Sequence, residues 1–302
     1  MLLALDTSSS LTGLALYGGA GLRAELLWHG EQDQSVQLLA GVERLLQLER
    51  VGADALTAVA VALGPGGFNG LRVGISVAKG LCLARGLPIV GIDTLDATVY
   101  PQRQRGLPVL GLIDAGRGLL AASLYVPASL YVPASLYVPD GVPDESAVLR
   151  RTGSVLVASP QELAASIESG ELDRTLGRTL ASELSSVPPA ERCPSDAPSA
   201  SEAAGPPERP ISRPRLLVCG EFPGESRQRL TARLGSMAEL ATPALSLRRP
   251  AVVAELAWQR WRRGETDDLV TLQPTYVRRP TGGQPTSPPG DGSVAGVRLL
   301  SD

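Results

Sequence analysis

One stretch of this chain constrains its fold more than any other: Gly64-Pro65-Gly66-Gly67-Phe68-Asn69-Gly70-Leu71-Arg72-Val73-Gly74. Glycine and proline at this density cannot sit inside a helix or strand, so they form a loop whose backbone comes close to something else. Ahead of the loop, Ala58-Val59-Ala60-Val61-Ala62-Leu63 is an unbroken apolar run, the pattern of a strand buried on both faces. Behind it, Leu71 to Leu81 reads as a helix, with Asn69 available to cap its first turn. The unit is strand, glycine loop, helix. Two roles are open to such a loop. It can be a tight turn that packs the helix onto the sheet, or its free N–H groups can make an anion nest. No Gly-Lys-Ser/Thr follows, so it is not a Walker A loop, and it lacks the spacing and acidic partner of a dinucleotide loop.

The pattern continues on both sides. Leu2–Leu5, Gly13–Tyr17 and Arg23–Leu27 read as short strands separated by Ser/Thr/Gly turns. Across 34–50, Ser35, Leu38, Leu39, Val42, Leu45 and Leu46 recur at the spacing of one helix face. A strand at 88–92, a helix from Thr94 and a strand at 107–113 follow. Ala-Ser-Leu-Tyr-Val-Pro then occurs three times, at 122–127, 128–133 and 134–139. Pro127, Pro133 and Pro139 cannot donate to a ladder, so one copy serves as a strand and the others do not extend it through the sheet. Residues 187–214 are rich in Pro, Ser, Ala and Glu, the composition of a disordered insertion, and the polar tail from 280 reads likewise. Between them lie a buried strand at 216–221, a helix around 227–234 and a helix from Pro250 to Arg262.

Composition excludes several chemistries. At 302 residues and 43% hydrophobic content the chain can bury a sizeable core in one or two domains. No run approaches the roughly 20 apolar residues of a membrane span, and the start is too short for a signal sequence, so a cytoplasmic protein is expected. Cys82, Cys193 and Cys219 are isolated reduced thiols rather than a metal or redox pair. A net charge of −3 does not suit a stand-alone nucleic-acid binder. His29 is the only histidine, which rules out any zinc site with two imidazoles. It stands before a polar loop and reads as an exposed residue.

Three places follow a strand in the way a phosphate-holding turn does. Asp6-Thr7-Ser8 ends the first strand, Asp114-Ala115-Gly116 ends a strand in the second half, and Gly220-Glu221 ends a third. A carboxylate at a strand end beside hydroxyls can hold a metal-bound phosphate, and it can equally be an Asx turn in a plain hairpin. Lys79, the only lysine, lies on the apolar-rich helix after the glycine loop, and no base for phosphoryl transfer is evident. On that helix Gly70, Gly74 and Ala78 recur at spacing four beside Leu71, Ile75 and Leu81, which would let another helix approach closely.

Read whole, residues 64–74 resemble the GPGSFTGLR signature of the TsaB family, a subunit of the bacterial tRNA threonylcarbamoyladenosine machinery. Gly67 stands where the family has Ser, and Asn69 where it has Thr. The resemblance extends to Leu5-Asp6-Thr7-Ser8, to Gln34-Ser35 with Leu38-Leu39, to Gly91-Ile92-Asp93-Thr94-Leu95-Asp96-Ala97, to Asp114-Ala115 with Arg117, and to Pro274-Thr275-Tyr276-Val277-Arg278. Gln34 replaces a common His, and Gly116 breaks the usual Asp-Ala-Arg. The resemblance implies an α/β fold of the actin/hexokinase/Hsp70 (ASKHA) superfamily, in two subdomains that are each a mixed sheet with helices. Here these would be 1–105 and 106–279, the latter carrying the repeats at 122–139 and the disordered insertion at 187–214, with 280–302 as a disordered tail.

It further implies a non-catalytic scaffold subunit that binds and activates TsaD, and through it TsaE, so that a threonylcarbamoyl group reaches the adenosine beside the tRNA anticodon. TsaD carries a His-x-x-x-His metal pair that a chain with one histidine cannot reproduce. The helices at 34–50 and 70–85 would form the seam with TsaD or with a second copy, through Gln34, Ser35, Leu38, Leu39, Val42, Leu71, Arg72, Ile75, Ser76 and Lys79. Asp6, Thr7, Ser8, Asp114 and Gly220 would be a vestigial nucleotide site, and Gly64, Gly66, Gly67, Gly70 and Gly74 a structural loop. No cofactor is required for that role, although weak ATP or ADP binding with magnesium is compatible with it; tRNA would be met through the complex, and no membrane is involved. The rival is an autonomous nucleotide-dependent phosphotransferase or ATPase of the same fold, which needs tight ATP binding through Asp6. A metallopeptidase is opposed by the lone His29.

Overall fold

A computed structural model describes residues 1–30, 34–127, 149–169, 216–277 and 298–299. Strands β1 (Leu2–Asp6), β2 (Leu11–Gly18), β3 (Gly21–His29), β4 (Ala58–Gly64) and β5 (Ile89–Asp93) form a first sheet in the order β3-β2-β1-β4-β5. Strands β6 (Val109–Gly116), β7 (Leu119–Pro127), β8 (Leu149–Ala158), β9 (Leu216–Glu221), β10 (Ala238–Leu240) and β11 (Arg298–Leu299) form a second, in the order β10-β9-β6-β7-β8-β11. Without β11 the two orders are the same plan: a three-strand antiparallel meander whose first strand is extended by two parallel strands. This is the expected α/β class, two lobes that each hold a mixed sheet with helices.

The first sheet is apolar on both faces, and its strands show why. On one face Leu3, Leu5, Leu14, Leu16, Val59 and Val61 meet Leu38, Val42 and Leu45 of α1 (Gln34–Glu49) and Ile75, Ala78 and Cys82 of α2 (Phe68–Arg85). On the other, Leu2, Ala4, Ala15, Ala58 and Ala60 meet Val253, Ala254 and Ala257 of α7 (Pro250–Arg262). The alternation of large and small side chains lets a helix lie close on the alanine side. In the second lobe, α3 (Thr94–Val99) covers one face through Leu95 and Val99, and α4 (Pro160–Glu168) and α5 (Gly224–Leu234) cover the other. The layers therefore run α1 with α2, first sheet, α7 with α3, second sheet, α4 with α5. A short α6 (Pro243–Ser246) leads into α7.

The helix at 250–262, numbered within the second half, packs on the first sheet, because its Ala/Val face matches the small side chains there. Beyond it the chain keeps to the first lobe. Asp267 N–H donates to Ile89 O at 2.9 Å and Thr275 N–H to Leu63 O at 2.8 Å, with Leu269 and Leu272 against the α1/α2 core. The first hexapeptide copy completes β7, a central strand that ends at Pro127. The copies at 128–139 and the segment 187–214 lie outside the described residues, as does most of the tail; residues 298–299 pair with β8. Helix α2 starts at Phe68 with Gly67 as its N-cap, so Asn69 sits inside the first turn rather than capping it. Among the described residues no helix is long and apolar enough to cross a membrane.

Candidate functional site

The glycine loop approaches its own chain. A Cβ on Gly66 would lie 2.2 Å from Ser8 O, and Gly67 N–H already donates to that oxygen at 2.7 Å. Gly64 has φ +106°, a conformation that favours glycine, and a Cβ there would lie 2.7 Å from Thr275 O. Its N–H donates to Thr94 Oγ1 at 2.9 Å. The loop is thus a packing element that seats β4 and α2 against the end of β1. The small stripe on α2 serves the same purpose. Thr7 Oγ1 donates to Gly70 O at 2.7 Å, and a Cβ on Gly74 would lie 2.2 Å from that hydroxyl. Gly70 and Gly74 are buried and admit Thr7 just beyond β1, and Ala78 is buried in the core under the helix, so the stripe faces inward rather than toward a second helix.

Asp6 and Ser8 come together, but around an arginine. Arg248, between α6 and α7, donates from Nε to Asp6 Oδ2 at 2.5 Å and from Nη2 to Ser8 Oγ at 2.7 Å. Ser8 donates to Asp6 Oδ1 from both Oγ, at 2.5 Å, and N–H, at 3.0 Å. Asp6 and Arg248 are 3% and 4% exposed, so this is an ion pair withdrawn from water. Burial pushes the Asp6 carboxyl up, but the Arg248 charge and the hydrogen bonds from Arg248 and Ser8 outweigh it and hold the group below its ordinary value. Arg248 N–H donates to Glu221 Oε1 at 2.6 Å, and Nη2 lies 3.9 Å from Glu221 Oε2. Its Nη1 is buried with no partner. Both Asp6 oxygens are therefore committed, Oδ2 to the guanidinium and Oδ1 to Ser8, and the residues do not fit a magnesium-held phosphate at this strand end.

The other expected members do not join them. Asp114 is exposed at the β6–β7 hairpin and accepts Gly116 N–H at 2.8 Å, an Asx turn. Gly220 lies inside β9 at φ +137°, where a Cβ would sit 1.8 Å from Leu112 O, so glycine is required by the approach of β9 to β6. Among the described residues no group of three His, Cys, Asp or Glu side chains could hold a metal ion. His29 ends β3, exposed, as its sequence context suggests. Sequence reasoning missed Arg248 altogether. It is one arginine among many, and the sole local signal was its place just before the Pro250 helix start.

The expected helix seam divides in two. Leu38, Val42, Leu71 and Ile75 are sealed against the first sheet, at 0%, 6%, 0% and 4% exposure, and cannot meet a partner. Their strong periodicity marks the inward face. Ser35, Leu39, Arg72 and Ser76 face outward, and Lys79 is half-buried, its Nζ donating to Val270 O at 3.1 Å. The side chain of Gln34 lies outside the described residues. Sequence reading passed over Val36 and Leu83, which with Leu39 leave 67%, 73% and 51% of their surface in water. These belong to helices that lie side by side on one face of the sheet, with Val73, Val77 and Leu81 half-buried beside them. Arg72 lies over the Phe68 ring, 5.0 Å from its centroid, and Phe68 packs on Tyr276 at 5.0 Å.

Comparison with known proteins agrees with this architecture. A family model described as TsaD, tRNA N6-adenosine threonylcarbamoyltransferase, matches residues 30–129. The Bacillus subtilis tRNA threonylcarbamoyladenosine biosynthesis protein TsaB is 30% identical over 124 residues, 41% of this chain and 54% of the relative. Its Escherichia coli counterpart is 32% identical over 122 residues, 39% and 51% of the two chains. The chain thus spans about half the length of the curated relatives it matches. The structure of YeaZ from Pseudomonas aeruginosa superposes with a TM-score of 0.55 over 91% of this chain and 99% of that one, at 20% identity, a likeness of fold. The chain has TsaB homologues and shares the YeaZ fold.

Proposed function

We propose that this chain is a non-catalytic subunit of a threonylcarbamoyladenosine-forming complex, docking through the outer faces of α1 and α2 onto a TsaD-type transferase and, through it, working with TsaE on tRNA. The observation that carries the reading is the exposed apolar surface of Val36, Leu39 and Leu83 on those two helices. A monomer gains nothing from leaving such side chains in water, and apolar faces of this kind mark docking sites. A second copy of the chain can use the same face in the absence of TsaD. The relatives' names supply the pathway: TsaB proteins are threonylcarbamoyladenosine biosynthesis proteins. The rival, an autonomous phosphotransferase, is disfavoured by Asp6, whose oxygens are occupied by Arg248 and Ser8. On this reading no nucleotide is needed for the chain's own role, and it acts in the cytoplasm.

The test is reconstitution. The chain alone should transfer no threonylcarbamoyl group, and adding it to TsaD and TsaE should restore transfer. Leu39→Asp and Leu83→Asp should each weaken capture of TsaD at least tenfold, about 1.4 kcal/mol. Gly80→Arg is a sharper probe. Gly80 is exposed and an added Cβ meets nothing within 4 Å, so a long side chain there disturbs a partner and not the fold. Transfer by the chain alone, or unchanged capture of TsaD by all three folded variants, refutes the proposal.

A further inference from the structure

At the end of β1, Asp6 and Ser8 hold a cation of the chain itself. Arg248 belongs to neither lobe by position: it lies in the short connection between α6, beside the second sheet, and α7, on the first. Its two ends are held differently. The backbone N–H is fixed by Glu221 at the end of β9, and the guanidinium by Asp6 and Ser8 at the end of β1. We propose that Arg248 is an interlobe latch, the chain's own cation standing where strand-end carboxylates of the two lobes converge, which holds the lobes at one angle without a bound ligand.

Three features support a latch rather than an incidental ion pair. Arg248 is almost wholly buried, so water does not screen its contacts, and a planar guanidinium held at Nε by Asp6 and at Nη2 by Ser8 is fixed in direction as well as distance. One residue holds both lobes, its guanidinium on Asp6 at the end of β1 and its backbone N–H on Glu221 at the end of β9, so it ties lobe to lobe. A second cluster does the same elsewhere. Arg151 on β8 reaches Asp93, at the end of β5 in the first sheet, at 2.6 Å and Asp96 on α3 at 2.8 Å, while Tyr125 on β7 donates to Asp96 Oδ1 at 2.7 Å. With two separate ties, neither lobe can rotate about the other as a free hinge. The inference is independent of which protein docks on α1 and α2.

Hydrogen exchange of the full chain tests it. In Arg248→Met, amides at 6–13 and at 216–221 should exchange at least tenfold faster, with those of β4 (58–64) unchanged. Unchanged exchange at both places overturns the latch. Should Arg248→Met loosen the whole molecule, Glu221→Ala decides, because it leaves the Asp6 pair in place and removes the second lobe's hold. Faster exchange at 216–221 together with 6–13 supports the latch. A rise confined to 216–221, or no rise at all, overturns it.

Discussion

The two lobes are built on one strand plan and have diverged at the same two places. At the end of the meander's first strand, the first lobe has Asp6, buried and paired with Arg248, while the second has Asp114, exposed and closing its own hairpin. On the outer helices, the first lobe shows Val36, Leu39 and Leu83 to water. The second shows charge: Glu168 on α4 grips Arg233 on α5 through several hydrogen bonds, and Glu225 pairs with Arg229. Equivalent elements with opposite surfaces teach that the plan alone decides neither site nor interface. The first lobe carries the buried pair and the exposed apolar side chains on its outer helices, and the second carries ion pairs on its own.

The largest expected break in this comparison comes from the buried pair. Asp6→Ala should leave Arg248 unpaired inside the protein and cost about 3–5 kcal/mol, whereas Asp114→Ala should cost about 0.5 kcal/mol or less. Chemical denaturation of the two variants measures the contrast, and equal costs would abolish it. The next effect is packing. Gly74→Ala drives a methyl group toward Thr7 Oγ1 and should cost about 1–3 kcal/mol, while Gly80→Ala, six residues on and facing open space, should stabilise slightly, both readable as shifts in the unfolding midpoint.

Acid sharpens the first contrast further. The folded Asp6 carboxyl lies below its unfolded value near 3.9, so its contribution is complete above about pH 4 and fades as the pH falls through the lower folded value. Acid unfolding of wild type should therefore show a loss below about pH 4 that is missing in Asp6→Asn. Smaller still is the effect of a charge on the second lobe's outer helices. Ala232→Asp, on the exposed side of α5, should leave capture of TsaD unchanged where Leu39→Asp weakens it at least tenfold. The last expectation is silence: burial pushes the Cys82 thiol up to about 11 and Cys219 up to about 12, so neither should react with a thiol reagent at pH 8, as peptide mass analysis of the folded protein would reveal.

Much of the fold was legible because it depends on short-range pattern. The unbroken run at 58–63 announced a strand covered on both sides, and helices fill both. The glycine loop announced a close approach, although its partner, Ser8 O and Thr275 O, came from distant segments. The seam was misread at Leu38, Val42, Leu71 and Ile75 because periodicity identifies the stronger apolar face, which is the inward one. The outward face is weaker and interrupted by Ser35, Glu43 and Arg72, so it does not stand out in one dimension. Arg248 was illegible for another reason: a charge paired across more than two hundred residues leaves nothing in its own neighbourhood that names its partner.

The crossing of α7 onto the first sheet carries a consequence for how the molecule is made. Strands β1, β2 and β4 leave the ribosome early, yet the helix that covers their alanine-lined side is residues 250–262, which emerge only after strands β6 to β10 of the second lobe. Until then the nascent chain carries one greasy, uncovered sheet. The second lobe, β11 apart, is in effect a long insertion within the first, and a translation stop before Pro250 leaves the first sheet without that helix.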